Sequence, residues 1–71
     1  MSNPFEIDFV MLAERELRDL YESTVGATVP LEYTDTIEAA AKANPSGNFE
    51  WREESPGNWW IYIGGRKFRD K

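Results

Sequence analysis

The chain has no cysteine and no histidine among its 71 residues. Without cysteine there is no disulfide framework, no thiolate nucleophile and no thiolate metal site, so a reducing compartment is the default expectation. Without histidine there is no imidazole base poised near neutral pH. Long apolar runs are missing too: none approaches the roughly 20 residues that cross a bilayer. No signal-peptide pattern stands at the start. The sequence therefore predicts a protein without a membrane span, placed in the cytoplasm (the host cytoplasm, were the chain encoded by a bacteriophage).

Little is left with which to build a reaction centre. Ser23, Ser46 and Ser55 sit in no motif that pairs a hydroxyl with a Lys or carboxylate base, and they read as cap and turn residues. Glu53 and Glu54 are adjacent, and neighbours on a strand face opposite ways, so they do not converge on a substrate. The acidic residues show no calcium-loop spacing. Gly64-Gly65 lacks the spacing of a phosphate loop and any following helix, and reads as a strand end that needs unusual dihedral angles. A chain this short rarely encloses a pocket of several hundred cubic ångströms. A non-enzyme without metal or cofactor is expected.

What is present argues for a folded core. Hydrophobic residues make up 41% and aromatic residues 14% of the chain, too much for a disordered segment. At this length the reading is one small domain over residues 1–71, with a stability of only about 3–5 kcal/mol.

A first helix is predicted over residues 4–25, with Asn3 as cap, Pro4 at the first helical position, Glu6 in the first turn and Gly26 as its stop. Phe5, Phe9, Val10, Ala13, Leu17, Leu20 and Tyr21 share one broad face at helical spacing. Glu14–Arg18, Arg15–Asp19 and Arg18–Glu22 sit four apart on the other side, which reads as a solvated face. A second helix is predicted over residues 36–43, capped by Asp35, stopped by Asn44-Pro45 and burying Ile37, Ala40 and Ala41. Between the helices Val29, Leu31 and Tyr33 alternate. That pattern allows an edge strand over residues 29–33, since Pro30 bars a central one.

A hairpin is predicted over residues 48–63. Phe49–Glu53 alternates, Ser55-Pro56-Gly57-Asn58 is a turn signal, and Trp59–Ile63 is rich in strand formers. Two registers compete, because a one-residue slip exchanges the faces. Pairing Glu53 with Trp59 puts Phe49, Trp51, Trp59, Ile61 and Ile63 on one face and Glu50, Arg52, Glu54, Trp60 and Tyr62 on the other. This separates polar from apolar better than the alternative and is preferred. The fold class is thus α+β: two helices packed on a C-terminal antiparallel β-hairpin, with room for a third, edge strand.

Charge is unevenly distributed on a net of −5. Twelve of the thirteen acidic and four of the eight basic residues fall in residues 1–54. Residues 55–71 hold the other four basic residues and one acidic one, forming a basic end over 64–71. Arg66, Lys67, Arg69 and Lys71 adjoin Trp60, Tyr62 and Phe68. Trp, Tyr and Arg dominate interface hot spots, so the candidate partner-binding set is Arg52, Trp60, Tyr62, Arg66, Lys67 and Arg69. The expected function is a non-enzymatic protein-interaction module. Its most concrete form is a small acidic regulator or inhibitor of bacteriophage type that binds a larger protein or nucleoprotein enzyme, such as RNA polymerase or a defence nuclease. Glu14, Asp19, Glu22, Glu32, Glu50, Glu53 and Glu54 could offer carboxylates to a basic cleft in place of phosphates. Two alternatives stand beside this reading. One is a nucleic-acid-binding module in which the aromatic strand stacks bases and the basic end neutralises phosphates; the acidic balance opposes it. The other is an oligomeric structural component whose hairpin edge pairs with a copy of itself.

Overall fold

A computed structural model describes residues 8–69. The order of elements is helix α1 (Phe9–Val25), a 3-10 turn (Leu31–Tyr33), helix α2 (Thr34–Ala43), and strands β1 (Phe49–Ser55), β2 (Asn58–Ile63) and β3 (Arg66–Lys67). The strands form one antiparallel sheet in the order β1-β2-β3. Among the described residues no helix is long and apolar enough to cross a membrane. The architecture is α+β, with two helices and a C-terminal hairpin extended by a third strand.

Helix α1 begins where Asp8, in an extended conformation, turns its carboxylate onto the N–H groups of Val10 (3.1 Å) and Met11 (3.2 Å). Those two donors would otherwise lack a partner. The helix thus starts at Phe9 and not at residue 4 as predicted, because Asp8 is extended and serves as its cap; Asn3, Pro4 and Phe5 lie outside the described residues. Gly26 ends the helix in the left-handed region at φ +80°, its N–H donating to the Glu22 carbonyl at 2.9 Å. Ala13, Leu17 and Tyr21 are buried, four residues apart along one stripe. Phe9 belongs to that stripe by spacing but is 61% exposed, beside Pro45 and Ser46. The expected ion pairs Glu14–Arg18, Arg15–Asp19 and Arg18–Glu22 are not among those that the described residues form.

The edge strand expected over residues 29–33 is not there. Pro30, which has no N–H for a ladder, instead accepts a bond from Tyr33 through its carbonyl (3.0 Å), closing a 3-10 turn. Val29 is buried and Tyr33 half-buried, but Leu31 is 91% exposed. The alternation thus reflects two inward anchors flanking a turn. That turn runs straight into α2, which starts at Thr34, two residues earlier than predicted. Tyr33 takes the cap position without a side-chain bond. Asp35 is therefore not the cap but lies in the first turn, while Lys42 lies in the last; each sign suits its end of the helix dipole. Ile37, Ala40 and Ala41 are fully buried as expected, and the small alanines let α2 pack against α1. Asn44 closes the helix, its side-chain amide donating to the Gly47 carbonyl.

The hairpin adopts the preferred register: Phe49 opposite Ile63, Glu50 opposite Tyr62, Trp51 opposite Ile61, Arg52 opposite Trp60 and Glu53 opposite Trp59. A bulge follows between Glu53 and Ser55, and Pro56-Gly57 makes the turn. Pro56 requires negative φ, which rules out the primed turns that match strand twist. The extra residue, Glu54, absorbs the mismatch. Gly64 and Gly65, at φ +57° and +83°, supply the two left-handed residues of a tight hairpin turn into β3. Residues 64–69 are therefore not a basic tail. They fold back onto β2, and Phe68 donates its N–H to the Ile61 carbonyl at 2.8 Å, one step past β3.

The core lies between the helices and one face of the sheet. Leu17, Ile37 and Ile61 are its largest fully buried side chains. An aromatic cluster flanks them. The Tyr21 ring meets Trp51 edge-to-face at 5.0 Å and Tyr33 at 5.7 Å, with Trp59 at 6.5 Å. Contacts of this geometry contribute about 0.5–1.5 kcal/mol each beyond burial. Burial raises the Tyr21 phenol above its ordinary range, with smaller help from Tyr33 and Glu32. The buried Trp51 indole N–H donates to the Leu17 carbonyl at 2.9 Å.

Candidate functional site

The register dictates what the outer sheet face presents. Glu50 and Arg52 from β1 stand beside Trp60 and Tyr62 from β2, and Lys67 from β3 sits opposite Tyr62. Both aromatic side chains are half-buried, because charged neighbours lie across them. The Arg52 guanidinium carbon is 4.4 Å from the centre of the Tyr62 ring, and the Lys67 ammonium is 3.9 Å from the centre of the Trp60 ring. Both distances fall within cation–π range. The two cations also have carboxylate partners: Arg52 bonds Glu50 at 3.0 Å and Lys67 bonds Glu54 at 2.6 Å. Tyr62 closes the set by donating its hydroxyl to the other oxygen of Glu54.

These contacts set the protonation of the face. Arg52, through its hydrogen bond, holds the Glu50 carboxyl below its usual range. Lys67, and then the Tyr62 hydroxyl, do the same for Glu54. Donation to Glu54 in turn pushes the Tyr62 phenol up. Both carboxylates are charged at neutral pH, and the pairs Arg52–Glu50 and Lys67–Glu54 cancel on the surface.

Of the six residues singled out by sequence, Arg52, Trp60, Tyr62 and Lys67 come together on this face. Arg69 continues the alternation from Lys67 and lowers the Glu54 carboxyl from a distance. Arg66 does not join them. Its partner in the ladder is Ile63, which packs on the core, so Arg66 lies on the helix side of the sheet, exposed at the edge. Phe68 also leaves the expected cluster, packing on the core with Ile63. Glu50 and Glu54, read from the sequence as surface carboxylates outside the partner-binding set, join it through their pairs with Arg52 and Lys67. Alternation placed both on the outer face, but only the fold-back at Gly64-Gly65 brings Lys67 to Glu54. Glu53, the neighbour of Glu54, serves the turn instead, accepting the Gly57 N–H at 2.9 Å.

Beside this face, Glu32, Tyr33, Thr36, Trp59 and Trp60 border an open cleft of about 210 Å³. The Tyr33 hydroxyl there accepts the Trp59 N–H at 3.4 Å. Among the described residues no group of three or more His, Cys, Asp or Glu side chains could hold a metal ion. The outer face thus presents half-buried rings under paired charges. The chain matches no protein-family model, no curated protein and no solved structure.

Proposed function

We propose that the chain is a protein-docking module, a small acidic regulator or inhibitor that engages a larger protein through the outer face of its sheet. The observation that carries this reading is the position of Lys67, held between the Glu54 carboxylate and the Trp60 ring. Nucleic-acid binding needs free ring faces for stacking and free cations for phosphates. One face of Trp60 and one of Tyr62 already carry a cation, and Arg52 and Lys67 already have carboxylate partners. Arg66 and Arg69, the basic residues of the set without an ion pair among the described residues, belong to opposite sides of the sheet. A protein partner, in contrast, can bury the ordered rings and exchange these ion pairs for its own. Trp, Tyr and Arg at the centre of a patch are the usual anchors of such contacts.

The net charge of −5 steers the module toward a basic surface, of the kind that enzymes handling nucleic acid present. An RNA polymerase or a nuclease fits that description. The test is affinity capture from lysate with this chain as bait, with and without nuclease and at raised salt. A stoichiometric protein that survives nuclease supports docking. Recovery of nucleic acid alone, lost steeply as salt rises, replaces it with the nucleic-acid reading.

A further inference from the structure

Among the described residues the outer edge of β1 is open. Gly64 donates its N–H to the Asn48 carbonyl at 3.2 Å, and bonded pairs alternate along an antiparallel ladder. The bonded pairs of the hairpin are therefore 48/64, 50/62 and 52/60. Consequently the backbone N–H and C=O groups of Phe49, Trp51 and Glu53 point away from β2. Among the described residues none of these groups has a hydrogen-bond partner. An unpaired edge is a template for another strand.

Charge on the edge selects which strand. Glu50 and Arg52 lie between the open positions, with side chains 57% and 47% exposed. Suppose a second copy approaches antiparallel, so that open residues meet open residues. Centred on Trp51, the two-fold pairs Phe49 with Glu53 of the second copy and Trp51 with its own counterpart. Glu50 then stands opposite Arg52 of the second copy, and Arg52 opposite Glu50. These are non-bonded pairs, in which side chains approach most closely. The neighbouring centres fail. A two-fold at position 50 sets Glu50 against Glu50, and one at position 52 sets Arg52 against Arg52 and Glu50 against Glu54. Opposite charges directly across strands stabilise, and like charges destabilise.

We infer that β1 is a self-pairing edge: two copies join antiparallel about Trp51 into a six-stranded sheet, with Glu50 and Arg52 fixing the register. The bulge at Glu54 lies just beyond the paired stretch 49–53 and ends it. The dimer places two outer faces side by side, but its existence does not depend on what those faces bind. A strand pair of this length is a small interface, so the association is weak and reversible.

Mass measured by sedimentation equilibrium from about 1 µM to about 1 mM covers the relevant range. The expected result is a concentration-dependent rise from monomer to dimer. Glu50→Arg turns both cross-strand attractions into repulsions and raises the dissociation constant about tenfold or more. Adding Arg52→Glu to that variant restores the pairing with the signs exchanged. Glu50→Cys mixed with Arg52→Cys gives a disulfide-linked heterodimer on mild oxidation, and neither alone does so efficiently, since the register opposes position 50 to 52. Circular dichroism confirms that each variant is folded. A monomer throughout the range, or a charge-swapped variant as weak as the single reversal, overturns the inference. Cysteine homodimers forming as readily as the mixed pair would overturn the register.

Discussion

Lys67 sets its ammonium 3.9 Å above the centre of the Trp60 ring, tying the short third strand to the middle of the sheet. The same group bonds Glu54 across the bulge, so one side chain links all three strands. Replacing Lys67 with Ala is expected to free β3. The readout is faster hydrogen exchange at the Phe68 amide, which bonds Ile61, and altered tryptophan fluorescence. Amides within α1 should change little.

The third strand depends on its turn. Gly65 is at φ +83° with open space where a side chain would project, so Gly65→Ala costs conformational energy alone, about 1–2 kcal/mol. Gly64→Asn is expected to be tolerated, since Asn-Gly suits this turn and the nearest neighbour, the Asn48 amide, is at an ordinary 3.4 Å. Urea unfolding of the two variants distinguishes them.

The carboxylates of the outer face make stability depend on pH. Glu54 is depressed below its ordinary 4.5 by Lys67 and Tyr62, and Glu50 by Arg52. Their contribution is fully present above the unfolded value and is lost as pH falls through the folded one. Tyr62 acts in the opposite sense. Its pKa is raised above 10.0 mainly by donation to Glu54, so its contribution holds below the unfolded value and is lost as pH rises through the folded one. The urea midpoint should fall at both extremes, and Glu54→Gln should flatten both limbs. A Glu54 carboxyl titrating at or above 4.5 by NMR would contradict this.

A core this small tolerates little loss. Leu17 is fully buried and its carbonyl accepts the Trp51 indole. Leu17→Ala costs about 2–5 kcal/mol, against a total of about 3–5 kcal/mol for a domain of this size. The variant is expected to be largely unfolded at 25 °C by circular dichroism. Trp51→Phe loses the hydrogen bond and some volume; a cost of about 1–3 kcal/mol should leave it folded but with a lowered urea midpoint.

Much of this was legible in the residues. The hairpin register followed from alternation, because only one pairing kept Phe49, Trp51 and Ile61 together, and Gly26 and Asn44-Pro45 marked both helix ends. Other features were hidden for physical reasons. Val29, Leu31 and Tyr33 mimic strand spacing, but Pro30 feeds a 3-10 turn, and that turn starts α2 before the capping signal at Asp35. Arg66-Lys67 is too short to show a period, so only Gly64-Gly65 encoded β3. Without β3, the pairing of Lys67 with Glu54 and the separation of Arg66 from the site were not deducible.

The most direct test of outer-face docking compares capture from one lysate by the wild-type chain and by the Trp60→Ala, Tyr62→Ala double variant, after circular dichroism shows both folded. Docking through this face predicts a nuclease-resistant protein on the wild type that the variant retains at one-tenth or less, as expected when two hot-spot aromatic residues are lost. Equal recovery of that protein on both baits would contradict it.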